Sequence, residues 1–466
     1  MEYDTLLQVS GAIRRHEVSP VEVTAAMLSR IEALDAGHRS YAAVLAERAG
    51  AKARQAESEI ARGIWRGPLH GVPVAVKDLC YTTFAPTTAG TKIHRDFVPG
   101  HDATVVARLE AAGAVILGKL KMTEGAYTTH HPEVDAPLNP WNPAYWAGSS
   151  SSGSGVAPAA GLAYGALGSD TGGSIRFPSA ACGLTGIKPT WGRVSRHGVF
   201  ALADSLDHVG PMARSAGDAA AILGVVAGAD RNDPTALQAP VPDYLAALRD
   251  GVRGMTIGID RSYAFEGIDP EAAAALAAAE AVFSSLGAKI REVRFPPHER
   301  LVSLWIPMCA VETAIAHRDT YPARKDDYGP ELAGLIEEGR ALGGLDLCDI
   351  LHERLTFNGA LAAMFTDIDA FLIPTMPMRL PSLTDLAAFG DDPEVLVRLL
   401  RFTAPFDFSG FPTITLPHGF DSDGLPLSMQ LAGAPLSEGL LATAAHAFQT
   451  QTDWHTRRPQ APPPAV

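Results

Sequence analysis

The residues best suited to chemistry are serines and glycines in two short segments. Residues 148–155 read GSSSSGSG, and residues 169–176 read SDTGGSIR. The two glycines before Ser174 let the backbone turn sharply, so that successive N–H groups point to one spot, and such a nest can bind an oxyanion. Ser174 is therefore a candidate nucleophile, whose chemistry would be attack on a carbonyl carbon.

A serine nucleophile needs a base to remove its proton, and in most serine hydrolases that base is a histidine. No histidine lies close in sequence to either segment, and none occupies a recognisable nucleophile–base motif. The residue types alone therefore leave the base of this candidate site open.

Other interpretations of the same residues also stay open at this point. A Ser/Gly cluster is typical of a flexible linker. As a phosphate cradle, residues 148–155 lack the Gly-Lys-Ser/Thr ending of a P-loop. His130 and His131 with Glu133 could bind a metal ion, but the sequence places no further ligand beside them, so we expect no metal. Cys182 is expected to be a small buried core residue.

Six motifs in order along the chain resemble the amidase-signature family of serine hydrolases. The serine-rich blocks are GSSSSGS at 148–154, SDTGGSIRFPSAACG at 169–183 and GIKPT at 186–190. The remaining blocks are LHGVPVAVKD at 69–78, IPTMP at 373–377 and SGFPTITLPHG…DGLPLSMQLAG at 409–433. The resemblance covers nearly the whole chain, and its motifs are highly specific.

The resemblance implies a catalytic triad of Ser174, Ser150 and Lys77. Ser174 matches the family's nucleophile, Ser150 matches the serine that follows a cis peptide bond, and Lys77 matches the lysine. A lysine accepts a proton only when it is neutral, so Lys77 should be buried, with a pKa lowered by desolvation. The oxyanion would be bound by the backbone N–H groups of Thr171, Gly172, Gly173 and Ser174.

Residues around the triad are expected to support it or to contact substrate. Supporting roles are expected for Asp170, Arg176, Ser149 and Ser151. The possible substrate pocket contains Tyr127, His130 and His131, and the variable region with Trp305, Met308 and Glu312 could add a pocket wall. The chain departs from the family where Ser149 and Ser152 replace the usual glycines. Asp407 stands near a position where many members have Asn, and no role is assigned to it.

These segments must be held by an α/β fold, which the resemblance specifies as a large, mixed, mostly parallel central sheet covered by helices on both faces. We divide the chain into an N-terminal helical segment, residues 1–64, and an amidase-signature domain, residues 65–466, with its signature core at 68–190.

Local sequence patterns predict several elements of this fold. Val72, Val74 and Val76 alternate as in a strand that ends at Lys77. Ser19 followed by Pro20 predicts a helix start. We also predict a helix over residues 42–62 and irregular structure for residues 148–155.

Composition restricts the partners and the location. The 466 residues carry a net charge of −14 with no block of Lys and Arg, which disfavours nucleic acid as a direct ligand. No apolar run is long enough to span a membrane. The four cysteines form neither a disulfide framework nor a metal motif, and the first residues lack a signal-peptide pattern, so we expect a cytoplasmic protein. It should be a monomer or homodimer that needs no cofactor.

The resemblance implies hydrolysis of a carbon–nitrogen amide-type bond in a small molecule. Related members also cleave esters and carbamates, and an aryl or alkyl amide or a carbamate is the first expectation here. The alternative is the glutaminase-type A subunit of a tRNA-dependent amidotransferase complex. A catalytically inactive binding protein is disfavoured because Lys77, Ser150 and Ser174 are all present.

Overall fold

A computed structural model describes residues 5–389 and 392–460 of the chain, so the Pro-rich segment 461–466 lies outside the described residues. The strands are β1 (Tyr41–Val44), β2 (Pro73–Lys77), β3 (Val115–Leu120), β4 (Gly165–Asp170), β5 (Thr185–Lys188), β6 (His208–Ala213), β7 (Thr256–Ile259), β8 (Lys289–Glu292), β9 (Ala370–Pro374), β10 (Thr413–Phe420) and β11 (Pro426–Ala432).

Helices connect and cover these strands. In the N-terminal half they are α1 (Leu6–Arg14), α2 (Pro20–His38), α3 (Ala46–Ala61), α4 (Thr104–Ala111), α5 (Ser152–Ala159), α6 (Arg176–Cys182), α7 (Ala216–Val226) and α8 (Tyr244–Ala247). In the C-terminal half they are α9 (Arg261–Phe265), α10 (Pro270–Ser285), α11 (Glu299–Ser303), α12 (Trp305–Ala316), α13 (Pro330–Ala341), α14 (Gly344–Met364), α15 (Leu383–Phe389), α16 (Pro393–Leu400), α17 (Ala404–Ser409) and α18 (Glu438–Gln451).

The strands form one 11-stranded sheet in the order β1-β3-β2-β4-β6-β5-β10-β11-β9-β7-β8. Parallel pairing joins β3, β2 and β4 at one side and β9, β7 and β8 at the other. Every other neighbouring pair is antiparallel. The α/β class and the large mixed sheet are therefore confirmed, but the expectation of a mostly parallel sheet is wrong.

The connections between strands explain why the sheet contains both parallel and antiparallel pairs. Parallel neighbours need a long crossover, and helices α4 and α10 lie in the crossovers that lead to β3 and β8. In contrast, β10 and β11 are joined by a short turn at residues 421–425, which makes a hairpin and therefore an antiparallel pair.

Helices cover both faces of the central sheet. Every residue of β2, β3, β4, β6 and β9 is buried. Because successive residues of a strand point to opposite faces, complete burial requires cover on both sides. The ends of β2 and β4, which carry Lys77 and Asp170, therefore lie in the buried interior.

Within residues 5–64 the regular elements are the helices α1, α2 and α3 and the strand β1. Helix α2 begins as predicted, with the Ser19 hydroxyl accepting from the N–H groups of Val21 and Glu22. The predicted helix over 42–62 is wrong at its start, because residues 41–44 form a strand that pairs antiparallel with β3. A Cβ on Gly118 would lie 2.2 Å from the Ala43 carbonyl oxygen, so glycine is what allows this close approach.

The prediction of irregular structure for all of residues 148–155 is also wrong, because α5 begins at Ser152. A Cβ on Gly153 would lie 2.4 Å from the Ser40 carbonyl oxygen, so the small residues allow close packing of this helix. Among the described residues, no helix combines the length and the apolar character needed to cross a bilayer.

Candidate active site

Lys77 is the last residue of β2 and is completely buried. Its Nζ atom lies 2.7 Å from Ser150 Oγ, 2.9 Å from Ser151 Oγ and 2.8 Å from Ser169 Oγ. Burial lowers the pKa of Lys77 to about 7, although the more distant Asp207 and Asp170 raise it. A lysine in this environment is substantially uncharged near neutral pH and can accept a proton.

Strand pairing brings Ser169 to Lys77. Strands β2 and β4 are parallel neighbours, and Val76 pairs with Leu167, so the ends of both strands lie together. Ser151 joins them further, because its Oγ donates to the Ser169 carbonyl at 3.1 Å and accepts from the Ser169 N–H at 3.2 Å. Ser169 is not among the site residues predicted from the sequence, although its place directly before the Asp-Thr-Gly-Gly-Ser motif was a signal for it.

The serine-rich segment contributes Ser150 to this site. The Ser149–Ser150 peptide bond is cis, as the resemblance implied. The Ser150 side chain is buried, and its carbonyl oxygen accepts from the Thr123 N–H at 3.1 Å. Ser149 is only partly buried, and its hydroxyl has no hydrogen-bond partner within residues 5–389 and 392–460. Contacts therefore support the predicted role of Ser151 but not that of Ser149.

Ser174 lies in the loop between β4 and α6 and is partly exposed. Its hydroxyl forms no hydrogen bond with the described part of the chain. The preceding glycines allow a compact loop. A Cβ on Gly172 would lie 2.6 Å from the Trp305 ring, and Gly173 has a φ of +137°. Trp305 Nε1 also donates to the Thr171 carbonyl at 2.9 Å.

One predicted oxyanion donor is already engaged. The Gly173 N–H donates to Asp170 Oδ1 at 2.6 Å, so the prediction that it faces an oxyanion as a free donor is wrong. The Asp170 carboxylate accepts from this N–H because the loop that follows Asp170 folds back over the carboxylate. Thr171, Gly172 and Ser174 remain as candidate donors.

Asp170 and Arg176 support the loop as predicted. Arg176 donates through Nε to Asp170 Oδ2 at 3.0 Å and through Nη2 to Oδ1 at 2.8 Å. Asp170 Oδ2 also accepts from the Ile175 N–H at 3.0 Å. Burial by itself raises the pKa of Asp170, but Arg176 outweighs burial and holds that pKa below its usual range. The pair is therefore a stable ionic anchor for residues 170–176.

Asp407, to which the sequence analysis assigned no role, completes this anchor. Its Oδ2 accepts from Arg176 Nη2 at 2.6 Å, and both side chains are fully buried. The two positions are far apart in sequence, on α6 and α17, and no spacing signal connects them. Only the folded structure brings Asp407 to the site.

The three predicted pocket residues have different surroundings. Tyr127 is partly buried, and its ring is nearly parallel to that of Trp305, with centroids 6.4 Å apart and planes at 15°. His130 Nε2 lies 3.0 Å from Ser152 Oγ, and burial, with the nearby Lys121 and Lys77, lowers the pKa of His130 to about 4. His131 contacts its own loop instead, because its Nδ1 accepts from the Glu133 N–H.

Of the remaining candidates, Met308 and Cys182 are buried and Glu312 is partly exposed. Met308 is buried in α12, and Glu312 Oε2 accepts from the Ser205 N–H at 2.8 Å. Cys182 is a free, buried thiol, as expected of a core residue. Within residues 5–389 and 392–460, no group of three or more His, Cys, Asp or Glu side chains could hold a metal ion.

The sequence profile of the Amidase family matches residues 22–442. The chain belongs to this family. It is a hydrolase that acts on amide C–N bonds. A Mycobacterium tuberculosis protein named as a candidate amidase, AmiD, is 51% identical over 454 residues, which cover 97% of this chain and 95% of the relative.

Two further relatives share the architecture. The A subunit of glutamyl-tRNA(Gln) amidotransferase from Geobacter sp. is 38% identical over 480 residues, covering 97% of this chain and 98% of that relative. The crystal structure of a bacterial aryl acylamidase of the amidase-signature family has a TM-score of 0.87 at 26% identity, with 97% of each chain covered. These likenesses extend over whole chains and so include all the motifs described above.

Proposed function

We propose that this protein hydrolyses a small amide through an acyl-enzyme on Ser174, with Ser150 and Lys77 relaying the proton. The observation that carries the proposal is the environment of the completely buried Lys77 amine. Its Nζ atom lies 2.7 Å from the Ser150 hydroxyl oxygen. In the described part of the chain, all hydrogen-bond partners of this amine are hydroxyl groups. A buried amine without a contacting carboxylate is suited to act as a base.

Acylation begins when neutral Lys77 takes the Ser150 proton while Ser150 takes the proton of Ser174. The Ser174 oxygen attacks the substrate carbonyl carbon and forms a tetrahedral intermediate. Backbone N–H groups of the loop stabilise its oxyanion. The C–N bond then breaks, and the leaving nitrogen receives the proton that Lys77 returns through Ser150.

Deacylation repeats the relay with water. Ser150 removes a proton from water as Lys77 removes one from Ser150, and the water oxygen attacks the acyl carbon. Collapse of the second tetrahedral intermediate breaks the bond to Ser174, which recovers its proton through Ser150. The products are a carboxylic acid and an amine, and Lys77 is again neutral.

Aromatic side chains flank the nucleophile loop and support an aryl or alkyl amide as substrate. Trp305 packs against Gly172, with Tyr127 beyond it. On the Gly173 side lies the Phe177 ring, 5.7 Å from that of Trp146. Apolar and planar groups gain most from such surfaces. Esters and carbamates pass through the same acyl chemistry, so esterase and urethanase activities belong to this proposal.

The glutaminase component of an amidotransferase complex is the second candidate. The 38% identity to such a component over 97% of the chain favours it. The higher identity to the amidase AmiD and the aromatic surroundings of the nucleophile favour the free-standing amidase. A glutaminase component would work on a small polar substrate within a complex.

A substrate panel on the purified chain separates these functions. It contains aryl anilides, aliphatic amides, glutamine, a nitrophenyl ester and an aryl carbamate, each tested with the wild type, Ser174→Ala and Ser303→Ala. Ser303 is an exposed serine of α11 and serves as the matched control. We expect turnover of anilides or carbamates that Ser174→Ala abolishes and Ser303→Ala keeps. Turnover of glutamine alone would favour the second candidate, and turnover by Ser174→Ala would overturn the proposed nucleophile.

A further inference from the structure

A buried cluster of charged side chains extends from the Ser174 loop into the protein through Arg176. Its five members lie on β4, α6, β5, β6 and α17, and each is at most 2% exposed. They are Asp170, Arg176, Lys188, His208 and Asp407. The relay from Lys77 to Ser174 uses none of them directly.

Arg176 is the branching point of the cluster. Its Nη2 donates both to Asp170 Oδ1 at 2.8 Å and to Asp407 Oδ2 at 2.6 Å. Its Nη1 donates to the Thr403 carbonyl oxygen at 2.9 Å, directly before α17. Each side of the guanidinium is therefore held, one by the nucleophile loop and the other by the α17 region.

His208 lies beside the far side of Asp407, and Lys188 lies behind His208. Residues 170 and 208 are directly opposite each other on β4 and β6. His208 Nδ1 lies 3.3 Å from the Asp170 carbonyl oxygen and 3.6 Å from Asp407 Oδ1. Lys188 Nζ lies 3.2 Å from His208 Nε2 and donates to the Phe411 carbonyl at 2.8 Å.

We propose that Asp407 is a positioning residue for the reaction, which acts through Arg176 on the loop that carries Ser174. This inference rests on the proposed function, because it assigns a task only if Ser174 is the nucleophile.

The cluster controls the loop because Asp170 has two tasks. Its carboxylate accepts from the N–H groups of Gly173 and Ile175 on either side of Ser174, and it binds Arg176. Without Asp407, Arg176 Nη2 would lose one of its two acceptors, in a guanidinium that has no solvent exposure. Arg176 would then shift, Asp170 would follow, and the nest around Ser174 would lose its geometry.

The surroundings of Asp407 indicate which substitution preserves its task. Burial raises the pKa of Asp407 well above its usual value; Arg176 opposes this rise, and the neighbouring Asp170 adds to it. The task of residue 407 in this contact is to accept from Arg176 Nη2, which Oδ2 does at 2.6 Å. Asn has the same shape and a carbonyl oxygen that can accept from Arg176, so it should preserve this contact.

The test compares Asp407→Ala and Asp407→Asn with a control, Asp218→Ala. Asp218 is also completely buried, and it accepts from the Leu7 N–H at 3.0 Å, on a part of the chain separate from the site. The substrate is the best one from the panel. Rates are expressed per active site, counted by covalent labelling with a fluorophosphonate, so that loss of folded protein does not count as loss of kcat.

We expect Asp407→Ala to lower kcat per labelled site by roughly 10- to 100-fold, with KM within about threefold of the wild type, because a small displacement of the nucleophile acts on the chemical step. Asp407→Asn should restore kcat to within about threefold. Asp218→Ala should lower the melting temperature and leave kcat per labelled site unchanged.

The inference would be overturned if Asp407→Ala kept the wild-type kcat per labelled site while its melting temperature fell as in Asp218→Ala. Asp407 would then be a structural residue. If Asp407→Ala yields no folded protein, Asp407→Ser is judged by the same criteria. Activity that survives Ser174→Ala would overturn the proposed function and this inference together. Normal activity of the Asp407 variants beside an inactive Ser174→Ala would overturn the inference alone.

Discussion

At the scale of single residues, the proposed role of the Lys77 amine as the base predicts how activity depends on pH. Burial lowers the pKa of Lys77 to about 7. Below that pH the amine is protonated and cannot accept a proton from Ser150. We therefore predict that kcat/KM falls about tenfold per pH unit below pH 7 and is constant above it. The measurement is a pH–rate profile with a substrate that does not ionise in this range.

A Lys77→Met variant is the matched test of that assignment. Removing the base should lower kcat/KM by about 10³-fold or more, and the residual rate should lose its acid limb near pH 7. An unchanged acid limb in Lys77→Met would mean that another group controls the profile.

Two adjacent serines provide a second comparison at this scale. Ser151 contacts both Lys77 and Ser169, whereas Ser149 makes no hydrogen bond through its hydroxyl within the described residues. We predict that Ser151→Ala lowers kcat roughly 10- to 100-fold, because Lys77 loses a fixed partner. Ser149→Ala should stay within about threefold of the wild type. Equal losses in both variants would contradict the role given to Ser151.

The sequence motifs identified Lys77, Ser150 and Ser174 without any structure, because each lies in a specific, ordered block. They could not show that Asp170 captures the Gly173 N–H, since that depends on how a short loop folds over a carboxylate. Nor could they identify the task of Asp407, which comes to Arg176 from 231 positions away along the chain.

At the scale of elements, α12 shapes the nucleophile loop through Trp305. A Cβ on Gly172 would lie 2.6 Å from the ring of Trp305, a residue that is only 5% exposed. We predict that Gly172→Ala displaces the loop or the ring and lowers kcat by about 100-fold. The control is Gly334→Ala in α13, where no atom lies within 4 Å of the added Cβ.

Steady-state kinetics and thermal melting of both variants measure this effect. Gly334→Ala should keep the wild-type kcat. A Gly172→Ala enzyme with wild-type kcat would show that contact between α12 and the loop does not affect the chemistry.

Elements were predictable where local signals were strong. The start of α2 follows from the Ser19 cap with Pro20 behind it. Strand β1 was missed because it is four residues long and depends on the space left by a distant residue, Gly118. The first turn of α5 was missed because tertiary packing overrides the weak helix propensity of serine and glycine.

At the scale of the whole molecule, the N-terminal segment completes the sheet. A Cβ on Gly118 would lie 2.2 Å from the Ala43 carbonyl oxygen. We predict that Gly118→Ala lowers the free energy of unfolding by about 1–3 kcal/mol, because β1 must move away from β3. Gly224→Ala, on an exposed part of helix α7 where the nearest atom lies 3.8 Å away, should have little effect or stabilise slightly.

Denaturant unfolding followed by fluorescence and by far-ultraviolet circular dichroism measures both variants. Coincident transitions are expected if β1 and the rest of the sheet unfold together. An unchanged midpoint in Gly118→Ala would show that β1 contributes little to the stability of the sheet.

The motifs identified the α/β class but not the direction of the strands. Strand direction depends on whether each connection is a helical crossover or a short turn. The hairpin of β10 and β11 and the antiparallel run through β4, β6 and β5 lie in the middle of the sheet, where the expectation was parallel. A sequence pattern that marks buried strands does not record their order.

The central claim is that Ser174 forms the acyl-enzyme, and trapping that intermediate tests it most directly. The protein is incubated with an aryl carbamate that turns over slowly, then examined by intact-mass and peptide-mapping mass spectrometry, beside Ser174→Ala and Ser303→Ala. We predict one carbamoyl group per chain, on Ser174, in the wild type and Ser303→Ala, and none in Ser174→Ala. A carbamoyl group on any other residue, or release of the aryl alcohol by Ser174→Ala at the wild-type rate, would contradict the account.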